Sequence, residues 1–455
     1  MKKTRPQLTS EQRLRLVEEE REKYLRGAFA MMLYCCLLLP FFTSAQSIIT
    51  EKDFLKAHIG MFASPAMHGR GYVQDGEELA SALLQRKFTE FGLKRLPGMD
   101  SYVQPYAFPV NTFPGSMYLE LNDRELVAGK DFLIDAGSVS FAHKNLKAER
   151  RDLSRIKDSA GWQQVRVDFD DRHVYVLEGV DSLCQVLKIR KRAFAAMLPA
   201  GCYIIPEPKK LTWTVAKEQI AATVFYVNSD ALPATLKSAT VDVKAKLNER
   251  NRSDNIVGMV PGTVRDSYIV FSAHYDHLGM MGEDAIFPGA SDNASGTAML
   301  LYLARYFAAH PQRYSMLFIA FSGEEAGLMG SAFFVAHPLV PLSKIKFLTN
   351  VDIMGDATDG VTVVNATEYP KEFGLLNKIN DVHTFIPAIK SRGKAANSDH
   401  YLFSEAGVPA IFMYSNGGKG HYHDIYDTAV EIMLTNIDGV ARLLIDLAIA
   451  LNGRY

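Results

Sequence analysis

Six residues of this chain have types and positions suited to holding divalent ions and moving protons: His274, Asp276, Asp292, Glu324, Glu325 and Asp352. Imidazole nitrogens and carboxylate oxygens are the donors that zinc accepts. His274 and Asp276 close the apolar run SYIVFSA, and two residues apart on extended backbone they point to the same side. A carboxylate in that place fixes the imidazole tautomer and makes it a better donor. Asp292 follows Ser291 at a helix start, where an acid is ordinarily a cap. Glu324 and Glu325 follow SMLFIAFS, where paired acids are ordinarily a solvated edge. Asp352 follows KIKFLTNV. Each has a bland explanation singly. Together, nearly consecutive elements bring acids and an imidazole to one rim, and a divalent cation is the economical reason to concentrate like charge there.

The elements that must position these residues begin at about 254. IVGMVPG, SYIVFSAH, NASGTAMLLYLARYFAAH, SMLFIAFS, GLMGSAFFVAH and KIKFLTNVDIMG alternate strand and helix patterns, which implies a parallel sheet covered by helices. Its strands are near-continuous apolar runs, as expected when both faces are buried, and ligands gather at the carboxyl ends of such strands. Upstream, residues 52–60 read as a short helix. Leu79, Leu83, Leu84, Phe88 and Phe91 give helical spacing over 75–91, ahead of Gly92. Between 111 and 251 the character changes to short β-branched runs, HVYVLEGV, CYIIPEP and ATVFYVN, among charged segments. This stretch holds both tryptophans, Trp162 and Trp213, and no cluster of His, Asp and Glu. The expected fold is α/β, a mainly parallel mixed sheet flanked by helices. The expected domains are 46–110 with 252–455 carrying the site, and an inserted, mainly β domain at 111–251.

With 455 residues, 48% of them hydrophobic and 22% charged, and a net charge of −1, the chain is globular and offers no electrostatic case for a polyanion. Nucleic acid is excluded as an expected partner. Residues 1–26 are polar and basic on balance, whereas 27–50 lack charge and contain AMMLYCCLLLPFF followed by Thr43-Ser44-Ala45. That is the pattern of an export signal cleaved after Ala45. Left uncleaved, the same stretch is long enough to anchor the chain in a membrane. The destination read from it is periplasmic or extracellular. Cys35 and Cys36 fall inside the signal; Cys184 and Cys202 remain, as one disulfide or as two buried thiols.

The segments AHYDHLG, GASDNASG, FSGEEAGLMGS, NVDIMG, SDHYLFSEAGVPAIF and YHDIYDT, in this order, resemble the motifs of the co-catalytic di-zinc aminopeptidases of peptidase family M28. SPAMHGRGYVQDGEELASALLQRKFTEFGL is similar to that family's N-terminal segment. The insertion falls where many relatives carry a protease-associated domain, so the chain resembles an exported bacterial member with a divergent copy of it. The resemblance implies a zinc-exopeptidase fold and two Zn2+ ions bridged by Asp292. His274 and Asp352 complete one ion's shell, and Glu325 and His423 the other's. It implies Glu324 as the general base, Asp276 as the partner of His274, a cis Asp292–Asn293 peptide bond, and peptides as substrates. Three carboxylates and two imidazoles nearly balance two doubly charged ions, which when paired polarise the scissile carbonyl and acidify water.

His423 competes with His421, and is preferred because it stands four residues before Asp427-Thr428, matching the family's His-x-x-x-Asp-Thr pattern. Asp399 and His400 match a family motif and are read as structural. His310 and His337 end helices, where a capping or surface role is ordinary. Tyr414 and Tyr422 suit either oxyanion stabilisation or packing. Three other functions compete. A glutaminyl cyclase-like acyltransferase resembles this fold but carries Trp where Tyr422 precedes His423. A non-catalytic binding module usually lacks several of the ligands found here. A carboxypeptidase would use Arg392 or Lys394 of the loop SRGKAAN.

Overall fold

The computed structural model describes residues 50–454. The expected export signal, with Cys35 and Cys36, lies outside the described residues. Among them, no helix is long and apolar enough to cross a membrane.

Period-two burial explains the first sheet. In strand Val264–His274, Ile269, Phe271 and Ala273 face one core while Val270 faces another. In strand Tyr314–Phe321, Met316, Phe318 and Ala320 join the first core, and Leu317, Ile319 and Phe321 the second. Both faces are covered, so the runs are apolar throughout. Helices Glu51–Phe62, Gly76–Glu90, Gly296–Ala309 and Ile437–Ile449 close the first core, and Met329–Ala336 and His400–Glu405 the second. The two N-terminal helices match the expected ones, with Leu79, Leu83, Leu84 and Phe88 buried. Tyr314–Phe321, Val264–His274, Ile345–Val351 and Ala410–Ser415 form the parallel centre of an eight-stranded sheet. Antiparallel pairings occur toward both edges, so the sheet is mixed as expected.

A second eight-stranded sheet is built from strands between Met117 and Val243 and carries three short helices. Its outer core is centred on the fully buried Trp162. Strand Val103–Thr112 leads into it and Lys246–Val260 leads out, and the two pair antiparallel as an arm of the first sheet. The inner core is common to both sheets: Phe132 and Val241 of the second cluster with Phe108 and Val110 of the first, and Trp213, Phe113, Leu278, Met281 and Phe287 join the same cluster. Cys184 and Cys202 are buried and unpaired, which decides between the two readings of these cysteines in favour of free thiols.

Candidate metal centre

Each side chain of the expected set arrives from the carboxyl end of a central strand or the loop after it. His274 ends strand Val264–His274, Asp352 follows Ile345–Val351, Glu324 and Glu325 follow Tyr314–Phe321, and His423 lies beyond Ala410–Ser415. Asp292 sits in the turn before helix Gly296–Ala309, and its peptide bond to Asn293 is cis. His274 Nε2 lies 3.3 Å from Asp292 Oδ1 and 3.3 Å from Asp352 Oδ1. His423 Nε2 lies 3.1 Å from Asp292 Oδ2 and 3.2 Å from Glu325 Oε2. Two donor triplets thus meet at Asp292, one on each carboxylate oxygen. Donors bonded to a tetrahedral zinc at about 2.0–2.1 Å stand roughly 3.3 Å from one another, which the distances from each imidazole match; His274, Asp292 and Glu325 also bring donor atoms within 4.8 Å of one another. Asp352 Oδ1 is a buried acceptor with no hydrogen-bond donor, a further sign that the set is shaped for a cation.

Electrostatics point the same way. Burial pulls the His423 imidazole down, but Glu325 and Asp292 more than offset it, leaving it raised to about 11. His274 is likewise raised well above the usual range by Asp352 and Glu324 despite burial. Burial opposes ionisation of Glu325, yet His423 and a bond from His277 hold it down at about 2. The acids therefore call for positive charge between them, and a divalent cation answers that call.

Groups that fix these side chains were mostly missed by sequence reasoning. The Asp276 carboxylate accepts from Tyr72 Oη at 2.8 Å and from the amides of Glu324 and Glu325 at 3.2 and 3.3 Å. It stands 3.7 Å from His274 Nδ1, so its main contacts are with the Glu324–Glu325 turn. His277, next to the quoted Asp276, bonds Glu325 Oε1 through Nδ1 at 2.7 Å. Behind Asp352 runs a hydrogen-bonded chain from Ser272 through Asn350 and Ser398. Asp427 accepts from the amides of Ser291 and Asp292. Gly289 has a φ of +57°, and a Cβ there would stand 2.2 Å from the Asp292 carbonyl and 2.4 Å from the His277 ring, so only glycine fits. The His277 contact could have been suspected from its place in AHYDHLG; the others leave no local pattern.

The remaining expectations separate cleanly in space. His421 faces Asp424 at 3.5 Å, while His423 joins the donors. Asp399 bonds Ser331 at 2.5 Å, and His400 is buried with its pKa lowered to about 4 by desolvation. His310 and His337 bond the carbonyls of Tyr306 and Phe333 at their helix ends. Tyr422 stacks on His423 with centroids 3.9 Å apart. Arg392 reaches Tyr414 and Lys394 pairs with Glu405.

A parallel-centred α/β sheet with a buried acid and imidazole cluster at its carboxyl rim has the donor chemistry of a divalent-metal site. Residues 255–448 match the profile of Peptidase family M28. Aminopeptidase YwaD of Bacillus subtilis (strain 168) is 31% identical over 179 residues, 38% of this chain and 37% of the relative. A probable zinc metalloprotease of Pyricularia oryzae is 32% identical over 130 residues, 28% of this chain and 26% of the relative. The chain thus spans about a third of these curated relatives. The structure of BSAP, a zinc aminopeptidase from Bacillus subtilis, shares the fold with a TM-score of 0.64 at 20% identity, covering 87% of this chain and 94% of that one. That of a peptidase M28 precursor from Shewanella amazonensis superposes with a TM-score of 0.61 at 14% identity, covering 98% and 96%.

Proposed function

We propose that this protein is an exported aminopeptidase that releases N-terminal residues from peptides. Asp292, His274, Asp352, Glu325 and His423 would hold two Zn2+ ions, His274 and Asp352 serving one, Glu325 and His423 the other, and Asp292 both. The observation that carries this reading is that the two oxygens of Asp292 belong to two separate donor triplets. Residues 46–110 and 252–455 form the catalytic domain and 111–251 the insertion. Ions bound at these donors supply Lewis-acid polarisation of the scissile carbonyl and a lowered pKa for water.

The chain's own residues do the rest. Glu324 takes a proton from the attacking water and returns it to the leaving amine. Burial pushes its carboxyl well above the ordinary range; His274 opposes this, and Glu325, Asp399 and Asp352 reinforce it. Such a group holds a proton more readily than a surface glutamate, as a base that must become an acid requires. Asp276 keeps the Glu324 amide in place, and a left-handed Gly323, with a φ of +66°, lets the chain turn between strand and base. A metal ion held by these residues would supply a site for the substrate's free amine, which would confine cleavage to the first peptide bond.

The test is release of free amino acids from short peptides with free or acetylated N-termini, before and after chelation and zinc add-back. Cleavage confined to free N-termini and restored by zinc is expected. Glu324→Gln is expected to keep both zinc ions and lose about 10²–10⁴-fold in kcat, the usual range for proton-transfer catalysis. Retained activity in that variant overturns the assignment of the base. Pyroglutamate formation without free amino acid would replace peptidase with cyclase.

A further inference from the structure

The inserted domain contributes no side chain to the donor cluster, yet it touches one donor directly. The Trp213 amide donates to the His423 carbonyl at 2.9 Å, and His423 Nδ1 lies 2.9 Å from the Trp213 carbonyl. A carbonyl only accepts, so Nδ1 must carry a proton and donate. In a neutral ring this leaves the lone pair on Nε2, the nitrogen facing Asp292 and Glu325. His423 adopts a left-handed backbone with a φ of +54°, a conformation that needs outside support in a residue other than glycine. One backbone bond and one side-chain bond, both to the Trp213 peptide groups, provide it.

The segment that makes this exchange is itself anchored at both ends. Trp213 is 7% exposed, donates its indole N–H to Ile134 O at 2.9 Å and stacks on Phe287 with centroids 4.8 Å apart. Three residues earlier, Lys210 Nζ pairs with Asp424 Oδ2 at 2.6 Å and donates to Gly420 O at 2.8 Å. The loop around His423 is therefore gripped before, at and after the imidazole by one short stretch of the insertion.

We propose that residues 210–213 of the inserted domain are a positioning strap for His423, fixing its tautomer and ring direction so that Nε2 is presented to a metal ion. The insertion thereby forms part of the metal centre without supplying a ligand. The proposal rests on the reading of His423 as a zinc ligand. Partners of this kind behind a ligating histidine typically change metal affinity by 10–100-fold when removed.

The experiment uses the full-length protein and follows zinc binding by competition with a chromophoric chelator, the visible spectrum of the Co2+-substituted protein, and kcat and KM separately. Lys210→Met removes both contacts of the ammonium and keeps most of its stem. Trp213→Phe removes the indole anchor and keeps an aromatic ring against Phe287. In both variants one of the two zinc steps is expected to weaken about tenfold or more, the other to stay within about twofold, the cobalt spectrum to shift, and kcat to fall with KM little changed. Lys210→Arg is expected to restore zinc affinity. His423→Ala serves as the reference. If it abolishes one zinc step while Lys210→Met and Trp213→Phe leave both steps and the cobalt spectrum untouched, the strap is overturned and the ligand reading stands. If His423→Ala leaves both zinc steps intact, the ligand reading fails and the strap falls with it.

Discussion

Arg70 places a positive charge beneath the acid cluster and directs its donors at backbone carbonyls. Its guanidinium is fully buried and bonds the carbonyls of Tyr275 at 2.8 Å, Phe62 at 2.9 Å, Pro288 at 2.6 Å, Gly289 at 2.8 Å and Asp292 at 3.4 Å. Burial lowers its pKa to about 10, with Asp427 and Asp292 opposing, so the charge persists at neutral pH. Lysine cannot reproduce the planar fork, and each carbonyl left without a donor costs about 1–3 kcal/mol. Arg70→Lys is therefore expected to lose about 2–5 kcal/mol of stability, measured by urea unfolding at pH 7; a change under about 0.5 kcal/mol would contradict this account. Arg70 lies within the segment SPAMHGRGYVQ, but its role could not be read there, because carbonyl partners look alike whatever the residue. His274, Asp292 and Asp352 were legible for the opposite reason: their chemistry resides in side chains that occur at strand ends.

Helix Gly76–Glu90 joins the site through an acid that local rules place in water. Glu77 lies in its first turn, where a carboxylate favours the helix dipole, and the spacing of Leu79, Leu83, Leu84, Phe88 and Phe91 makes the helix predictable without it. Glu77 is nevertheless only 5% exposed and accepts from Ser322, two residues before Glu324. Burial raises its pKa from 4.5 to about 8, against the bonds from Ser322 and Ser253. A carboxyl raised on folding stabilises the folded state fully below its unfolded pKa, and this contribution is lost as pH climbs through the folded one. Stability is thus expected to decline between about pH 4.5 and 8, by on the order of a few kcal/mol for this group. In Glu77→Gln that part of the slope should vanish, and denaturant unfolding across the window checks it; an unchanged slope would mean that Glu77 titrates normally. What hid Glu77 was tertiary burial, which overrides the helix-terminal preference of its sequence position.

Across the whole molecule the two large sheets share one apolar core in which Phe132 and Val241 from one meet Phe108 and Val110 from the other. A single cooperative thermal transition is expected rather than separate melting of the insertion, and zinc at a thousand times its dissociation constant should add about 4 kcal/mol. Scanning calorimetry with zinc and with chelator checks both, and two resolved transitions would show that the shared core does not couple the sheets. The compositional shift between 111 and 251 made the insertion visible in sequence. Its contact with the centre was not, since bonds to backbone groups between residues 210 apart carry no local period. That separation also bears on the order of assembly. The Trp213–His423 exchange closes only after the insertion has folded and the C-terminal loop has been synthesised and has returned to it, because long closures form late. On the proposed reading, the metal centre would then be completed late, and a nascent or half-folded chain would lack the hydrolysis proposed for it.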